Sequence, residues 1–98
     1  MNNAIRITID CPDLSSRRAA AIQRAELLDA VQEGLVLLDL TAVESISDSY
    51  ADELFGVIAA VNGLDWLGKH VKIAGAKEPI LRDIAVAVKR RIAEPQAA

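Results

Sequence analysis

The alternation of apolar and polar residues predicts three β-strands. Residues 4–10 place isoleucines on one side and polar residues on the other, as in a strand that is buried on one face. Residues 35–40 are apolar at every position except Asp39, which predicts a strand buried on both faces. Residues 71–76 alternate again and predict a third strand with one polar face.

Two helices are predicted from apolar residues that recur at steps of three and four. The first spans residues 17–32, with Ser15 or Ser16 as its N-cap and Gly34 just beyond its end. The last helix begins near Pro79, because proline is well suited to a first helical turn.

A further helix is predicted after the central apolar strand. Its apolar stripe runs from Ala51 to about residue 62. Ser49 is the predicted N-cap, and Asp52 would complete a Ser-x-x-Asp capping box, whose loss costs about 0.5–2 kcal/mol. The segment 64–69, which contains Trp66, is predicted to be a connection without regular structure.

The resulting β-α-β-α-β-α order predicts a single α/β domain over residues 1–98, with an ordered core at about 4–93. Helical connections between strands require a parallel sheet. The strand at 35–40 is expected in the centre, because the other two strands have one polar face each. Part of one sheet face is then expected to stay uncovered by helices.

Composition and charge narrow the classes of function. Apolar residues make up 52% of the chain and charged residues 26%, which is typical of a globular domain. The net charge of −3 and the presence of only three aromatic residues argue against nucleic-acid binding, although the arginines of the first and last helices could form a basic surface. The apolar runs are far shorter than the ~20 residues of a membrane span. A single cysteine and no leader sequence favour the cytoplasm.

Few residues are candidates for catalysis or metal binding. Asp10, Asp39, Glu44 and Asp48 could gather Mg²⁺ at the carboxyl ends of two strands, but Asp39 could equally bond a neighbouring turn. Cys11 and His70 are single residues of their kind, and no glycine-rich phosphate loop is present. We therefore predict a non-enzymatic domain without a metal or cofactor.

The stretch 38–56, LDLTAVESISDSYADELFG, carries a specific resemblance. It resembles the STAS domain of bacterial anti-sigma factor antagonists and, more closely, a STAS-like family of unknown function. The residues that match the pattern of that family are Leu38, Asp39, Val43, Ile46, Ser47, Ser49, Ala51, Asp52, Glu53, Leu54, Phe55 and Gly56, with Tyr50 at an aromatic position. Ser16 and Arg17 also fit the entry to its first helix.

The resemblance implies a signalling domain that binds a histidine-kinase-like ATPase of the anti-sigma type. Ser49 aligns with the serine that such an ATPase phosphorylates in the antagonists. The other positions of that loop differ, since Ser47, Asp48 and Tyr50 stand where the antagonists have aspartate, serine and glycine. The implied partner-binding residues are Ser47, Asp48, Ser49, Tyr50, Asp52, Glu53 and Val57.

Two alternatives stay open from the sequence. Ser49 is a helix cap, a phosphoacceptor or both, since phosphorylation would destroy the cap, and the carboxylates of Asp48, Asp52 and Glu53 would repel an added phosphate. The domain either binds a protein partner, with Tyr50 and Val57 exposed on the second helix, or forms a homodimer that covers its open sheet face or second helix.

Overall fold

The computed structural model describes residues 4–93, which form five strands and four helices. The strands are β1 (Ile5–Thr8), β2 (Asp13–Leu14), β3 (Val36–Asp39), β4 (Ser45–Ile46) and β5 (Val71–Ala74). The helices are α1 (Arg17–Val31), a second helix that consists of α2 (Asp48–Ala51), a π-helical segment (Asp52–Gly56) and α3 (Val57–Asn62), then α4 (Leu64–His70) and α5 (Glu78–Ala93).

The main sheet has three parallel strands in the order β1-β3-β5. Ile5, Val36 and Val71 lie side by side in one row across it. The predicted α/β class, the parallel pairing and the central place of the strand at 35–40 are therefore confirmed. The short strands β2 and β4, which were not predicted, form a separate parallel pair beyond the carboxyl end of the main sheet.

One face of the main sheet carries the core and the other is open. Val36 and Leu38 are fully buried, because the helices pack on their side. Leu37 lies between Arg6 and Lys72 on the opposite face, where it is only half-buried and both neighbours are exposed. The predicted uncovered face is confirmed, whereas the prediction that β3 is buried on both faces is wrong at Leu37.

The segment after the second helix is helical, which corrects the prediction of an irregular connection. Gly63 has a φ of +96°, and this left-handed conformation separates α3 from α4. Trp66 lies within α4 and stacks on His70 one turn later, with 4.3 Å between the ring centroids. The carbonyl oxygen of Trp66 also lies 2.8 Å from Nδ1 of His70.

The core lies between the sheet and the helices. Its largest fully buried side chains come from α1, β3 and the residue after it, the second helix and α5, and they are Leu27, Leu38, Leu40, Leu54, Phe55, Ile58 and Ile80. Within residues 4–93 no helix is both long and apolar enough to cross a membrane. The packing of α1 and α5 on the second helix places the amino end of α1 and the last turns of α5 beside Asp52.

Candidate functional site

The second helix begins at Asp48, and its N-cap is Ser47. The Ser47 hydroxyl accepts a hydrogen bond from the backbone N–H of Tyr50 at 3.0 Å. The same hydroxyl donates to the carbonyl oxygen of Ser15 at 3.0 Å and so ties this loop to the entry of α1. The prediction that Ser49 is the cap is wrong, because the helix starts two residues earlier than its apolar stripe indicates.

Ser49 lies in the first turn of the helix, and its hydroxyl has no hydrogen-bond partner among residues 4–93. It is half-buried, and the following residue points into the core. Tyr50 is only 3% exposed, so the prediction that it is an exposed contact on this helix is wrong. Burial also raises the pKa of the Tyr50 hydroxyl. Val57 is half-buried rather than fully exposed.

Asp52 lies at the centre of an ion-pair network that joins three helices. Arg91 of α5 holds its carboxylate with two hydrogen bonds, of 2.7 Å from Nε and 2.9 Å from Nη2. Arg17 of α1 donates to the same carboxylate at 3.0 Å. Such a two-pronged pair between arginine and carboxylate is both stronger and geometrically more specific than a single contact.

Glu53 forms the second half of this network. Its carboxylate lies 2.9 Å from Nη1 of Arg17 and 2.6 Å from Nη1 of Arg24, which also bonds the backbone carbonyl of Glu53. The resemblance to the anti-sigma factor antagonists implies that Asp52 and Glu53 bind a partner. Both carboxylates are paired with arginines within the domain, and their contact with a partner stays a prediction.

The network determines the ionisation of its carboxyl groups. The hydrogen bonds from Arg91, followed by those from Arg17, lower the pKa of Asp52 from 3.8 to about 2, although partial burial opposes the change. Arg24 and then Arg17 lower the pKa of Glu53. The bonds to Asp52 and Glu53 raise the pKa of Arg17. Both carboxylates are therefore charged at neutral pH and neutralised by arginine.

Gly56 permits the close approach of α5 to this network. A Cβ atom at position 56 would lie 2.7 Å from Oδ1 of Asp52 and 2.9 Å from Cγ of Arg91. Asp52 and Gly56 are the first and last residues of the π-helical segment. The ADELFG part of the motif is thus explained by the network and by the core residues Leu54 and Phe55.

An open polar cleft of about 340 Å³ lies beside the network. It is lined by Arg17, Asp48, Ser49, Asp52, Arg90 and Arg91. The sequence predicts a basic surface from the arginines of the first and last helices but gives no connection between them and Ser49. No local pattern around residues 17, 49 and 90 indicates that they lie close together, because only the packing of three helices brings them together.

The carboxyl end of β3 carries a local hydrogen-bond cluster around Asp39. Thr41 donates to Oδ1 of Asp39 from its hydroxyl at 2.6 Å and from its backbone N–H at 2.9 Å, and Arg6 bonds Oδ2 at 2.6 Å. These bonds, those of Thr41 first, lower the pKa of Asp39 from 3.8 to about 2. The prediction that Asp39 bonds a neighbouring turn is confirmed.

No cluster of metal-ligating side chains is found in the part of the chain that the structure describes. From residue 4 to 93, no three histidine, cysteine or acidic side chains converge in a way that could hold a metal ion. Glu44 pairs with Lys77 at 3.2 Å instead of joining Asp39. Cys11 is exposed, and its thiol contacts the carbonyl oxygen of Asp13 at 3.4 Å.

Comparison with known proteins gives one match. The model of a family described as "STAS-like domain of unknown function (DUF4325)" matches residues 24–81, from within α1 to the start of α5. No curated protein and no solved structure matches the chain. The match covers more than half of the 98 residues and includes the whole stretch 38–56 that carries the resemblance. The chain therefore belongs to the family of STAS-like domains of unknown function.

Proposed function

We propose that this domain is a non-enzymatic regulatory module that binds a protein partner through the loop and helix 47–55 and is switched by phosphorylation of Ser49. The proposed partner is a histidine-kinase-like ATPase of the anti-sigma type, and the proposed compartment is the bacterial cytoplasm. These assignments rest on the resemblance of the stretch 38–56 to the anti-sigma factor antagonists.

The free hydroxyl of Ser49 is the observation that carries the proposal. Because Ser47 caps the helix, the oxygen of Ser49 is not needed to satisfy a backbone N–H group. It lines an open cleft together with three arginines. A kinase would transfer the γ-phosphoryl group of ATP to this oxygen, with ADP as the second product and loss of the hydroxyl proton to solvent.

The charge around Ser49 also supports phosphorylation. From the sequence alone, three nearby carboxylates are expected to repel an added phosphate, which carries a charge of about −1.5 to −2 at neutral pH. Asp52 and Glu53 are each paired with two arginines. Asp48 is then the only one of the three that forms no ion pair within residues 4–93. The repulsion expected from the sequence is therefore much reduced.

Affinity purification from the source cell tests the proposal with wild type, Ser49→Ala, Ser49→Asp and Gln32→Glu as baits. Gln32 follows α1 at the other end of the domain, so its variant adds one negative charge away from the cleft. We expect a histidine-kinase-like ATPase with wild type, Ser49→Ala and Gln32→Glu, and a clear loss with Ser49→Asp. Equal recovery with all four baits would refute the switch, and absence of an ATPase would refute the partner.

Self-association is a second candidate function, favoured by an exposed apolar groove. The groove, of about 350 Å³, lies between α4, β5 and α5 and is lined almost entirely by apolar side chains. Leu64, Leu81 and Ile92 are 55%, 43% and 48% exposed there. A second copy of the chain would bury the same groove on both subunits in a symmetric dimer.

Light scattering over a range of concentrations tests self-association. A dimer of the wild type that is lost in Leu81→Gln but kept in Ile22→Gln would support it, because Ile22 is 59% exposed on α1 and lies outside the groove. A monomer at every concentration would exclude the homodimer.

A further inference from the structure

The cleft beside Ser49 has an excess of cationic side chains. Arg17 enters it from the start of α1, and Arg90 and Arg91 enter it from the last turns of α5. Asp48 and Asp52 are its two carboxylates. Three guanidinium groups against two carboxylates leave the lining with one positive charge while Ser49 is unmodified.

Arg90 is the arginine of this lining that pairs with no carboxylate among residues 4–93. Asp52 is held by Arg91 and Arg17, and these two arginines neutralise its negative charge. Arg90 is exposed and forms no ion pair with any other residue from 4 to 93. Its guanidinium therefore has all its donors available to an anion that enters the cleft.

We propose that the phosphate of phosphorylated Ser49 is bound in cis by Arg90, with Arg17 as its second ligand. The proposal rests on the proposed phosphorylation of Ser49 and assigns the residues that receive the phosphate. Three phosphate oxygens match the planar fork of an arginine, whose paired N–H groups bind such anions with two parallel hydrogen bonds. Asp48 sits in the same cleft and opposes the phosphate, so more than one arginine is required.

Arg17 is the arginine of the network that is most easily redirected. It contacts both Asp52 and Glu53 through the single atom Nη1, and its side chain is 50% exposed. Asp52 and Glu53 keep Arg91 and Arg24 as partners if Arg17 turns towards the phosphate. Binding in cis would then join the first turn of the second helix to the end of α5 and close the cleft to a partner.

The test uses the full chain with phosphoserine incorporated at position 49 during synthesis, so that no kinase is needed. Phosphorus-31 NMR follows the second ionisation of the phosphate in wild type, Arg90→Gln and Lys89→Gln. Lys89 carries the same charge one residue earlier but lines the apolar groove on another face of α5. We expect the phosphate pKa to be about half a unit lower in wild type and Lys89→Gln than in Arg90→Gln.

Three further measurements make the result decisive. The difference in phosphate pKa between wild type and Arg90→Gln should shrink in 1 M salt, since exposed ion pairs are screened. In Arg90→Lys the phosphate pKa should be lowered less than in the wild type, because lysine keeps the positive charge but lacks the planar fork of arginine. Unmodified Arg90→Gln should melt as the wild type does, which separates phosphate binding from misfolding.

Equal phosphate pKa values in wild type, Arg90→Gln and Lys89→Gln would overturn binding by Arg90. The same conclusion would follow if the start of the helix lowered the phosphate pKa of all three proteins equally. Failure to recover an ATPase in the affinity purification would refute the proposed function and leave this titration unaffected. The two failures are therefore distinguishable.

Discussion

Three serines near the starts of helices have different roles in this domain. Ser16 caps α1 by accepting a hydrogen bond from the N–H of Ala19 at 3.1 Å. Ser47 caps the second helix and also bonds the chain ahead of α1. Ser49 has neither role: it lines the cleft, and its hydroxyl has no hydrogen-bond partner among residues 4–93. Residue type alone does not distinguish them, because each lies close to the start of an apolar helical stripe.

Replacement of Ser47 by alanine should therefore destabilise the domain more than replacement of Ser49. We expect Ser47→Ala to lower the free energy of unfolding by about 1–2 kcal/mol, because it removes the cap and the bond to Ser15. Ser49→Ala should change it by less than about 0.5 kcal/mol. Urea denaturation of the two variants and the wild type measures both values, and a larger loss in Ser49→Ala would contradict the cap assignment.

Asp52 should make the stability of the domain fall in acid. Its pKa is about 2 in the folded protein and 3.8 in its ordinary range, so its contribution is complete above pH 3.8 and is lost as the pH falls through about 2. We expect Asp52→Asn to be less stable than the wild type at pH 7 and to lose less stability between pH 4 and pH 2. Asp39 titrates in the same window, so part of the pH dependence should remain.

Asp48→Asn is the matched control for this measurement. Asp48 lies four residues earlier, is exposed and forms no ion pair within residues 4–93. Thermal melts from pH 2 to pH 7 should give the control the same pH dependence as the wild type. If Asp52→Asn lost as much stability as the wild type between pH 4 and pH 2, the contacts of Asp52 with Arg17 and Arg91 would not contribute to stability.

At the scale of elements, the second helix is shaped by its contact with α5. Its middle turn is π-helical from Asp52 to Gly56, and π turns often occur where a helix meets a functional site. Here the turn carries Asp52 and Glu53 on the side that contacts the arginines of α1 and α5. The acidic pair of the motif therefore joins helices of the same domain.

Gly56→Ala and Gly68→Ala should change stability in opposite directions. Alanine normally stabilises a helix over glycine by about 1 kcal/mol, and we expect up to that gain for Gly68→Ala in α4, where a Cβ would meet no atom within 4 Å. Gly56→Ala should destabilise the domain, because its Cβ would displace Asp52 or Arg91 from their ion pair. Thermal melting compares the two variants, and a stabilised Gly56→Ala would refute the close approach.

At the scale of the whole molecule, the domain has two different surfaces. The helices cover one face of the main sheet, and the ion-pair network and cleft lie on that side. The other face presents Arg6, Leu37 and Lys72 in one row without a covering helix. A covered and an open sheet face in one small domain predict very different tolerance to substitution in adjacent residues of β3.

Leu37→Ala and Leu38→Ala test this arrangement of the sheet. Leu38 is fully buried, so its truncation should lower the free energy of unfolding by about 2–5 kcal/mol. Leu37 is half-buried on the open face, and its truncation should cost about 1 kcal/mol or less. Urea denaturation measures the difference, and equal costs would contradict an open face in the free domain.

The sequence predicts the three strands of the main sheet, their parallel pairing, the central strand and three of the four helices, but not β2, β4 or α4. Those features depend on local periodicity and on the chain length between strands, which are visible without a fold. It also locates the motif at 38–56 and narrows the cap of α1 to Ser15 or Ser16, because a cap directly before a long helical stripe is a local signal. The start of the second helix was missed because its first turn lacks that stripe.

The contacts of the charged residues of the motif become visible only once distant segments have packed together. Asp52 and Glu53 appear as free acidic residues in the sequence, and their arginine partners are separated from them by about 30 to 40 positions. The cleft that places Ser49 with Arg17 and Arg90 likewise exists only after α1 and α5 have packed on the second helix. Ion pairs and clefts of this kind depend on side-chain positions from distant segments, and local patterns carry no information about them.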